Sequence, residues 1–225
     1  MFVSDLDTLA QALSVSRETV LPLQSYADLL VKWQKAKNIV ADSTLPDLWQ
    51  RHLLDSAQLI PLMGLTPSTE NEAARPGNQS GVQAKALPVL MDIGSGGGFP
   101  GLVLAALGCV EAHMVESNGR KCSFMRMVTE KTGAHAHIHA ERVEALPPFE
   151  ADFITSRACA RLNQLLEWAY PFTKSTTKLW FLKGEKCDEE LTEAQASWKM
   201  TVKRHKSLTD ASGTILEIAD LQPVS

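Results

Sequence analysis

The sequence predicts an α/β fold: a doubly wound parallel sheet preceded by an all-helical extension. Three observations carry this reading. From residue 88 onward, short apolar runs alternate with helical stretches, the pattern of a parallel sheet covered by helices. The first run ends in Asp92 and turns through Gly94, Gly96, Gly97 and Gly98 into a helix opened by Pro100, as in the loops where open sheets hold nucleotides. Residues 1–63, by contrast, show helical spacing only.

Residues 6–20 alternate apolar and polar positions in a helical way. A clearer helix follows Pro22, with Tyr26, Leu29, Leu30 and Trp33 on one face and Asp28, Lys32, Lys35 and Lys37 on the other. A third is expected from Pro46, with a stripe of Trp49, Leu53, Ser56 and Ile60. Asp47–Arg51 and Arg51–Asp55 then stand four apart as charge pairs. Residues 66–87 are polar, contain proline and glycine and have no period, so a flexible linker is expected there. Strands are expected at Val89–Ile93, Ala112–Glu116, His137–His139, Asp152–Ser156 and Leu179–Leu182. Helices are expected over Pro100–Leu107, Arg120–Lys131, Leu162–Phe172 and Glu189–Trp198. Val202–His205 and Ile215–Ile218 flank an Ala211-Ser212-Gly213 turn and suit an antiparallel hairpin. The expected organisation is a helical extension over 1–65, a linker over 66–87 and an α/β domain over 88–225.

The global counts set limits. The chain has 225 residues, 44% of them hydrophobic and 21% charged, which excludes disorder as a description of the whole. With 22 Lys+Arg against 26 Asp+Glu, the net charge of -4 argues against indiscriminate coating of nucleic acid, while allowing a local basic rim. Cys109, Cys122, Cys159 and Cys187 form no C-x-x-C, so buried free thiols are expected and no metal. The charge-free run Ile93–Val110 is broken by glycines and a proline and does not suit a membrane span. The start has no basic segment before acid appears, so a soluble cytoplasmic protein without a secretory signal is expected.

The glycine loop admits two readings. Gly94, Gly96 and Gly98 give G-x-G-x-G directly after the strand, the spacing of S-adenosylmethionine sites. Gly96, Gly98 and Gly101 give the dinucleotide spacing G-x-G-x-x-G, but begin late relative to the strand. Glu116 closes the second strand, where a carboxylate can accept hydrogen bonds from a ribose diol in either kind of site. No lysine follows the glycines as in a P-loop, which favours S-adenosylmethionine over a nicotinamide cofactor. A nicotinamide-dependent oxidoreductase stays open as an alternative, as does a catalytically silent binding module.

Several motifs recur in order along residues 20–220. Asp92 to Gly101 (D-I-G-S-G-G-G-F-P-G) is preceded by Trp33 with Lys35–Asn38 and by Arg51-His52-Leu53-Leu54-Asp55-Ser56. Glu116-Ser117-Asn118-Gly119-Arg120-Lys121, Arg142-Val143-Glu144, Ser156-Arg157-Ala158 and Leu182-Lys183-Gly184 follow it. Together these resemble the ribosomal small-subunit RNA methyltransferase G family, also called glucose-inhibited division protein B. The sequence departs from that family's pattern at Ile39-Val40-Ala41, where Asn-Leu-Thr is usual after the first motif, and in a longer 66–87 segment. The resemblance implies a Rossmann-like class I methyltransferase fold. It also implies transfer of a methyl group from S-adenosyl-L-methionine to N7 of guanine 527, in the 530 loop of 16S rRNA, within the small subunit or an assembly intermediate. Carried over residue by residue, it points to Gly94, Phe99, Val143, Glu144 and Arg157 as cofactor contacts, with Gly96, Gly98 and Glu116 added by the loop reading. A monomer is expected, with no membrane or metal.

Guanine N7 has an in-plane lone pair and no proton, so its methylation needs alignment rather than a general base. The lack of a Ser-His-Asp signature fits that. Asp55 and Asp92 are candidates to hold the developing cation. Arg157 and Lys183, at the carboxyl ends of strands, are expected to approach the RNA or guanine. Arg120, Lys121, Arg126 and Lys131 on one helix, with Arg161 and Lys186, are candidates for a basic rim, and Lys199, Lys203, Arg204, His205 and Lys206 for a solvated strand face. His52 reads as a structural histidine, with Arg51–Asp55 as a clamp that docks the helices onto the sheet. His135, His137 and His139 share one face of a strand, but no neighbouring acid or cysteine completes a metal site. Trp33, Trp49 and Trp168 read as core.

Overall fold

The computed structural model describes residues 2–68 and 86–224. The linker expected over 66–87 lies mostly outside these residues. The Ser68 N–H donates to the Leu107 carbonyl at 3.1 Å.

The helical stretch over 6–20 is two helices. α1 (Leu6–Leu13) starts in a capping box of Asp5 and Thr8 and stops where Ser14 turns left-handed. α2 (Arg17–Val20) starts at Ser16, whose hydroxyl accepts from Thr19 N. α3 (Pro22–Lys37) has proline in its first turn and buries Tyr26 and Leu30, with Leu29 and Trp33 at the core margin. It ends at left-handed Asn38. Beyond it, Gln34 fastens the departing chain, accepting from Ile39 N at 2.8 Å and Val40 N at 3.0 Å.

The helix expected from Pro46 starts later and differs in kind. Trp49–Leu54 is a π-helical turn that runs into α4 (Asp55–Ala57) and α5 (Leu59–Met63), ended by left-handed Gly64. A π turn holds one residue more than an α turn and rotates the rest of the helix round its axis. Asp55 therefore faces the sheet, bonded to Arg157, and the expected Arg51–Asp55 pair does not form.

The sheet contains β1 (Val89–Ile93), β2 (Glu111–Val115), β3 (Ala136–His139), β4 (Ala151–Arg157), β5 (Thr173–Lys183), β6 (Trp198–Lys206) and β7 (Thr214–Pro223). Its order is β3-β2-β1-β4-β5-β7-β6. The first five strands are parallel, and β7 pairs antiparallel with both β5 and β6. The hairpin register sets Val202 against Ile218 and His205 against Ile215. Between strands lie α6 (Gly101–Ala106), α7 (Gly119–Thr132), α8 (Leu162–Ala169) and α9 (Cys187–Gln195). The order reverses between β1 and β4, which places a crevice at their carboxyl ends. Several boundaries differ from expectation. β5 begins at Thr173, and Trp198 opens β6 instead of closing the preceding helix, which ends at Gln195.

Alternation along each strand divides the core. Leu90, Ala112 and Met114 join α6, α7 and the N-terminal helices in one cluster. Met91, Ile93 and Val115 join α8, α9 and the hairpin in the other. Because Val3, Leu9, Tyr26, Leu53 and Leu59 belong to the first cluster, the N-terminal helices share the core of the sheet. Trp33, Trp49 and Trp168 sit at core margins, half-buried, whereas Trp180 is fully buried. Three thiols are buried as expected, but Cys159 is exposed. Among the described residues, no helix is long and apolar enough to cross a membrane.

Candidate cofactor and substrate site

The glycine loop is pinned at both ends. Gly94 N and Ser95 N donate to the Val115 carbonyl at 2.9 and 3.1 Å, and Ser95 Oγ donates to the Asp92 carbonyl at 2.8 Å. Gly98 N and Phe99 N both donate back to the Ser95 carbonyl, closing a tight turn into the cis Phe99–Pro100 bond and α6. Gly94, Gly96 and Gly98 all have positive φ, which glycine adopts without the cost other residues meet. Glycine is also required sterically at two of them. A Cβ on Gly94 would overlap the Cys159 side chain, and one on Gly98 would overlap the Tyr26 hydroxyl. Gly96 is different, because a Cβ there meets nothing closer than 3.9 Å. That face of the loop is open.

Gly94, Glu116, Val143 and Glu144 come together around a cleft of about 290 Å³, with Lys121, Cys159 and Trp168. Glu116 reaches Gly96 N through Oε2 at 2.9 Å and Asn118 N through Oε1 at 2.7 Å. Each oxygen keeps a further acceptor position, so the carboxylate can hold the loop and receive a diol. Asn118 in turn caps α7, accepting from Arg120 N at 3.0 Å. The donor set fits an adenosyl group: bare backbone, an acidic diol acceptor and the buried apolar Val143. The late-starting dinucleotide spacing fits poorly, because Gly98, its second glycine, faces the Tyr26 hydroxyl and not the cleft.

Phe99 is not in this cleft. Its ring is 3% exposed and stacked between Tyr26 at 5.3 Å and His52 at 4.9 Å, with the Arg157 guanidinium 5.0 Å from the ring centroid. It ties the glycine loop to the helical extension, and any ligand contact from this position is through backbone. Tyr26 reinforces the tie by donating to the Gly97 carbonyl at 2.5 Å. Neither role was visible in the sequence, where Tyr26 was one member of an apolar stripe.

Asp92 also departs from its expected place. It is fully buried behind the loop, where Thr155 Oγ1 donates to it at 2.7 Å and Gly101 N at 3.4 Å. Burial pushes its carboxyl up to about 6, a rise that these hydrogen bonds and Arg157 partly offset.

A second cavity, about 300 Å³, adjoins the first along Ala158, which lines both. Ala158 holds a left-handed φ of 49°, unusual for a residue with a side chain. Arg51, His52, Asp55, Arg157, Lys183 and Thr209 line the second cavity. Arg157 Nη1 donates to Asp55 Oδ2 and to the Arg51 carbonyl, both at 2.9 Å, and its Nη2 lies 2.9 Å from His52 Nδ1. A guanidinium only donates, so His52 Nδ1 accepts and its Nε2 carries the proton, directed at Thr44 Oγ1, 2.8 Å away. Burial, with Arg157 and Arg51 nearby, lowers His52 to about 3 and keeps it neutral. The Arg51–Asp55 segment thus clamps the helices onto the sheet as expected, and what it grips is Arg157 of β4.

Asp55 Oδ1 receives Thr209 Oγ1 at 2.5 Å and Gln58 Nε2 at 2.9 Å, and Gln58 Oε1 accepts from Leu208 N at 2.7 Å. The loop before β7 is thereby roped to the extension. Lys183 does not reach outward as expected. Its ammonium is buried against Glu190 at 2.5 Å and donates to the Ala160 carbonyl at 3.0 Å. It braces the segment after β4. Arg161 is bound to Glu189 and Glu193, and Arg204 to Asp188. Arg51, Arg120, Arg126 and Lys186 are exposed.

The sequence profile of the rRNA small subunit methyltransferase G family, GidB, matches residues 20–69 and 79–218. A Ribosomal RNA small subunit methyltransferase G of Rhodospirillum rubrum is 44% identical, over 96% of this chain and 97% of that protein. One of Gluconobacter oxydans is 40% identical, over 94% and 98%. Among solved structures, a ribosomal protein L11 methylase from Lactobacillus delbrueckii subsp. bulgaricus superposes with a TM-score of 0.52 at 14% identity, over 73% of this chain and 77% of that one. A TehB-like SAM-dependent methyltransferase from Corynebacterium glutamicum gives 0.52 at 10% identity, over 87% and 98%. These neighbours show the fold alone, a Rossmann-like methyltransferase sheet. The sequence matches decide the family: with both its helical extension and its sheet covered, the chain belongs to the rRNA small subunit methyltransferase G family.

Proposed function

We propose that the protein methylates N7 of guanine 527 in the 530 loop of 16S rRNA, using S-adenosyl-L-methionine. The observation that carries this reading is the pair of cavities sharing Ala158, one furnished for an adenosyl group and the other opening between the helical extension and the sheet. When bound, S-adenosylmethionine supplies a methyl group on a positively charged sulfur. The guanine N7 lone pair forms the new C–N bond as the C–S bond breaks, and the positive charge passes from sulfur to the base. No proton moves in this step, so no general base is needed.

The protein's work is positioning. Gly94, Gly96 and Gly98 offer backbone, Glu116 receives the ribose diol, and Val143 and Glu144 border the adenine. Arg157 and Asp55 neutralise each other and fix the wall of the second cavity, while Lys183 fixes the segment carrying Ala158. Asp92 acts from behind the loop on its shape, not on the reacting atoms. The exposed Arg51, Arg120, Arg126 and Lys186 form the basic rim for phosphate. The substrate is the RNA within the small subunit or an assembly intermediate, the protein acts in the cytoplasm, and since one chain supplies both cavities it can act as a monomer.

Mass spectrometry of 16S rRNA from cells with and without the gene tests the assignment, alongside methyl transfer to small subunits purified from the deletion strain. Loss of 7-methylguanosine at that position and its restoration in vitro are expected. Persistence of the mark in the deletion strain would overturn the reading. Restoration of the mark by a variant with no measurable S-adenosylmethionine binding would favour a silent ribosome-binding module instead.

A further inference from the structure

Outside the methyl-transfer cleft, β2 and β3 bring together a cluster that no role above uses. The two strands pair in parallel with His113 opposite His137 and Val115 opposite His139. Side chains alternate along a strand, so Glu111, His113, His137 and His139 leave the sheet on one face. Ligand atoms of Glu111, His113 and His137 lie within 4.8 Å of one another. His137 Nε2 is 2.9 Å from Glu111 Oε1, and His113 Nδ1 is 3.0 Å from His139 Nε2. The sequence showed three alternating histidines and no acid beside them. The acid comes from the neighbouring strand, 26 positions from its histidine.

We propose that Glu111, His113 and His137 form a binding site for a divalent transition-metal ion, with zinc as the ion to which the donors are best suited. Two imidazoles and a carboxylate are a donor set for zinc, nickel or copper, whereas magnesium and calcium take oxygen sets. Zinc bonds of about 2.0–2.2 Å to nitrogen and oxygen place tetrahedral donors roughly 3.3 Å apart. The present spacing is within small side-chain rotations of that geometry. The His113 ring is already oriented, held by His139 on one side and packed against Phe149 at 4.4 Å, as metal-bound imidazoles are held by an outer hydrogen bond. Three protein ligands leave a fourth position for water. β3 is the outermost strand on its side of the sheet, and the ion would bridge it to β2. The site shares no residue with the glycine loop or the Arg157 clamp, so metal binding and methyl transfer are separable.

The full-length chain, stripped with chelator and dialysed, is titrated with zinc chloride by calorimetry in a non-coordinating buffer. One ion per chain with a Kd of about 1 μM or below is expected. At 100 times Kd, Tm should rise by about 5 °C. His113→Gln combined with His137→Gln should weaken binding at least about tenfold, and so should Glu111→Gln, which alters a half-exposed side chain and leaves the fold intact. His205→Gln, on β6 at the opposite edge of the sheet, should bind as the parent does. No saturable binding up to about 100 μM zinc would overturn the proposal, as would parent-like affinity in both the folded double variant and Glu111→Gln.

Discussion

Arg157 Nη1 stands 2.9 Å from Asp55 Oδ2 and joins positions 102 apart in the chain, one on the fourth strand and one after a π turn. Both side chains are less than a fifth exposed. Removing one partner therefore leaves the other charge poorly solvated, and the cost exceeds that of an exposed pair. Arg157→Ala also strands the Arg51 carbonyl and His52 Nδ1. We expect it to lose about 3 kcal/mol of stability in urea unfolding and to lower methyl transfer. Asp55→Ala should cost about as much, because it leaves Arg157 without its counter-charge and also takes an acceptor from Thr209 Oγ1 and Gln58 Nε2. A double-mutant cycle should return a coupling energy of about 2 kcal/mol. A coupling near zero would mean that the contact does not dock the helices.

The Tyr26 hydroxyl is a polar tip on a largely apolar face of its helix, and it ends on the Gly97 carbonyl. Tyr26→Phe keeps the ring stack with Phe99 and leaves that carbonyl unmet. The expected loss is about 1–2 kcal/mol. Because the carbonyl belongs to the glycine loop, S-adenosylmethionine affinity measured by calorimetry should fall with it. A variant of lower stability but unchanged affinity would make Tyr26 a core residue only.

The glycines separate by what stands over them. Gly98→Ala would press a methyl group onto Tyr26 and Leu102 at a φ of 93°, so both folding and cofactor binding should fail. Gly96→Ala meets open space and bears only the left-handed conformation, a cost of about 1–2 kcal/mol. Gly96→Asp carries that same backbone cost but extends a charge from the open side of the loop, and should abolish cofactor binding in a chain that still unfolds cooperatively. Thermal unfolding and calorimetry on the three variants distinguish these outcomes. Equal stability for Gly98→Ala and Gly96→Ala would refute the steric account.

What could be read from the sequence was local. A strand, a glycine turn and a proline lie within twelve residues, and each dictates backbone shape where it stands. Glu116 was legible for the same reason, as the end of the next strand. The clamp segment was named, but its partner Arg157 was not, because a π turn is set by tertiary packing, and a helical wheel drawn at 3.6 residues per turn aims Asp55 at Arg51. Lys183 was misplaced because its partner, Glu190, belongs to a helix whose docking no spacing reveals. The Glu111–His137 contact needed strand register, which parallel strands joined through a helix do not encode in their spacing.

Two buried titratable groups give stability opposite dependences on pH. His52 has a folded value near 3, below its ordinary 6.5. A depressed value means that its contribution is present above about pH 6.5 and is lost as pH falls toward 3. The full span corresponds to on the order of 5 kcal/mol. Asp92 has a folded value near 6, above its ordinary 3.8, so its contribution is present below about pH 4 and is lost as pH rises through 6. That span is smaller, about 3 kcal/mol. Between about pH 6 and 4 the two slopes nearly cancel, because the folded chain takes up a proton at Asp92 while the unfolded chain takes one at its histidine; below pH 4 only the tail of the His52 loss remains, about 1 kcal/mol down to pH 3. His52→Gln retains a hydrogen-bonding side chain between Arg157 and Thr44 without a titrating ring, and should flatten the acid limb of a stability–pH curve measured by urea unfolding. Asp92→Asn should instead remove the loss between pH 4 and 6, so that the variant gains on the parent as pH rises through that interval. If His52→Gln unfolds in acid with the parent's slope, the protonation that breaks the clamp lies elsewhere.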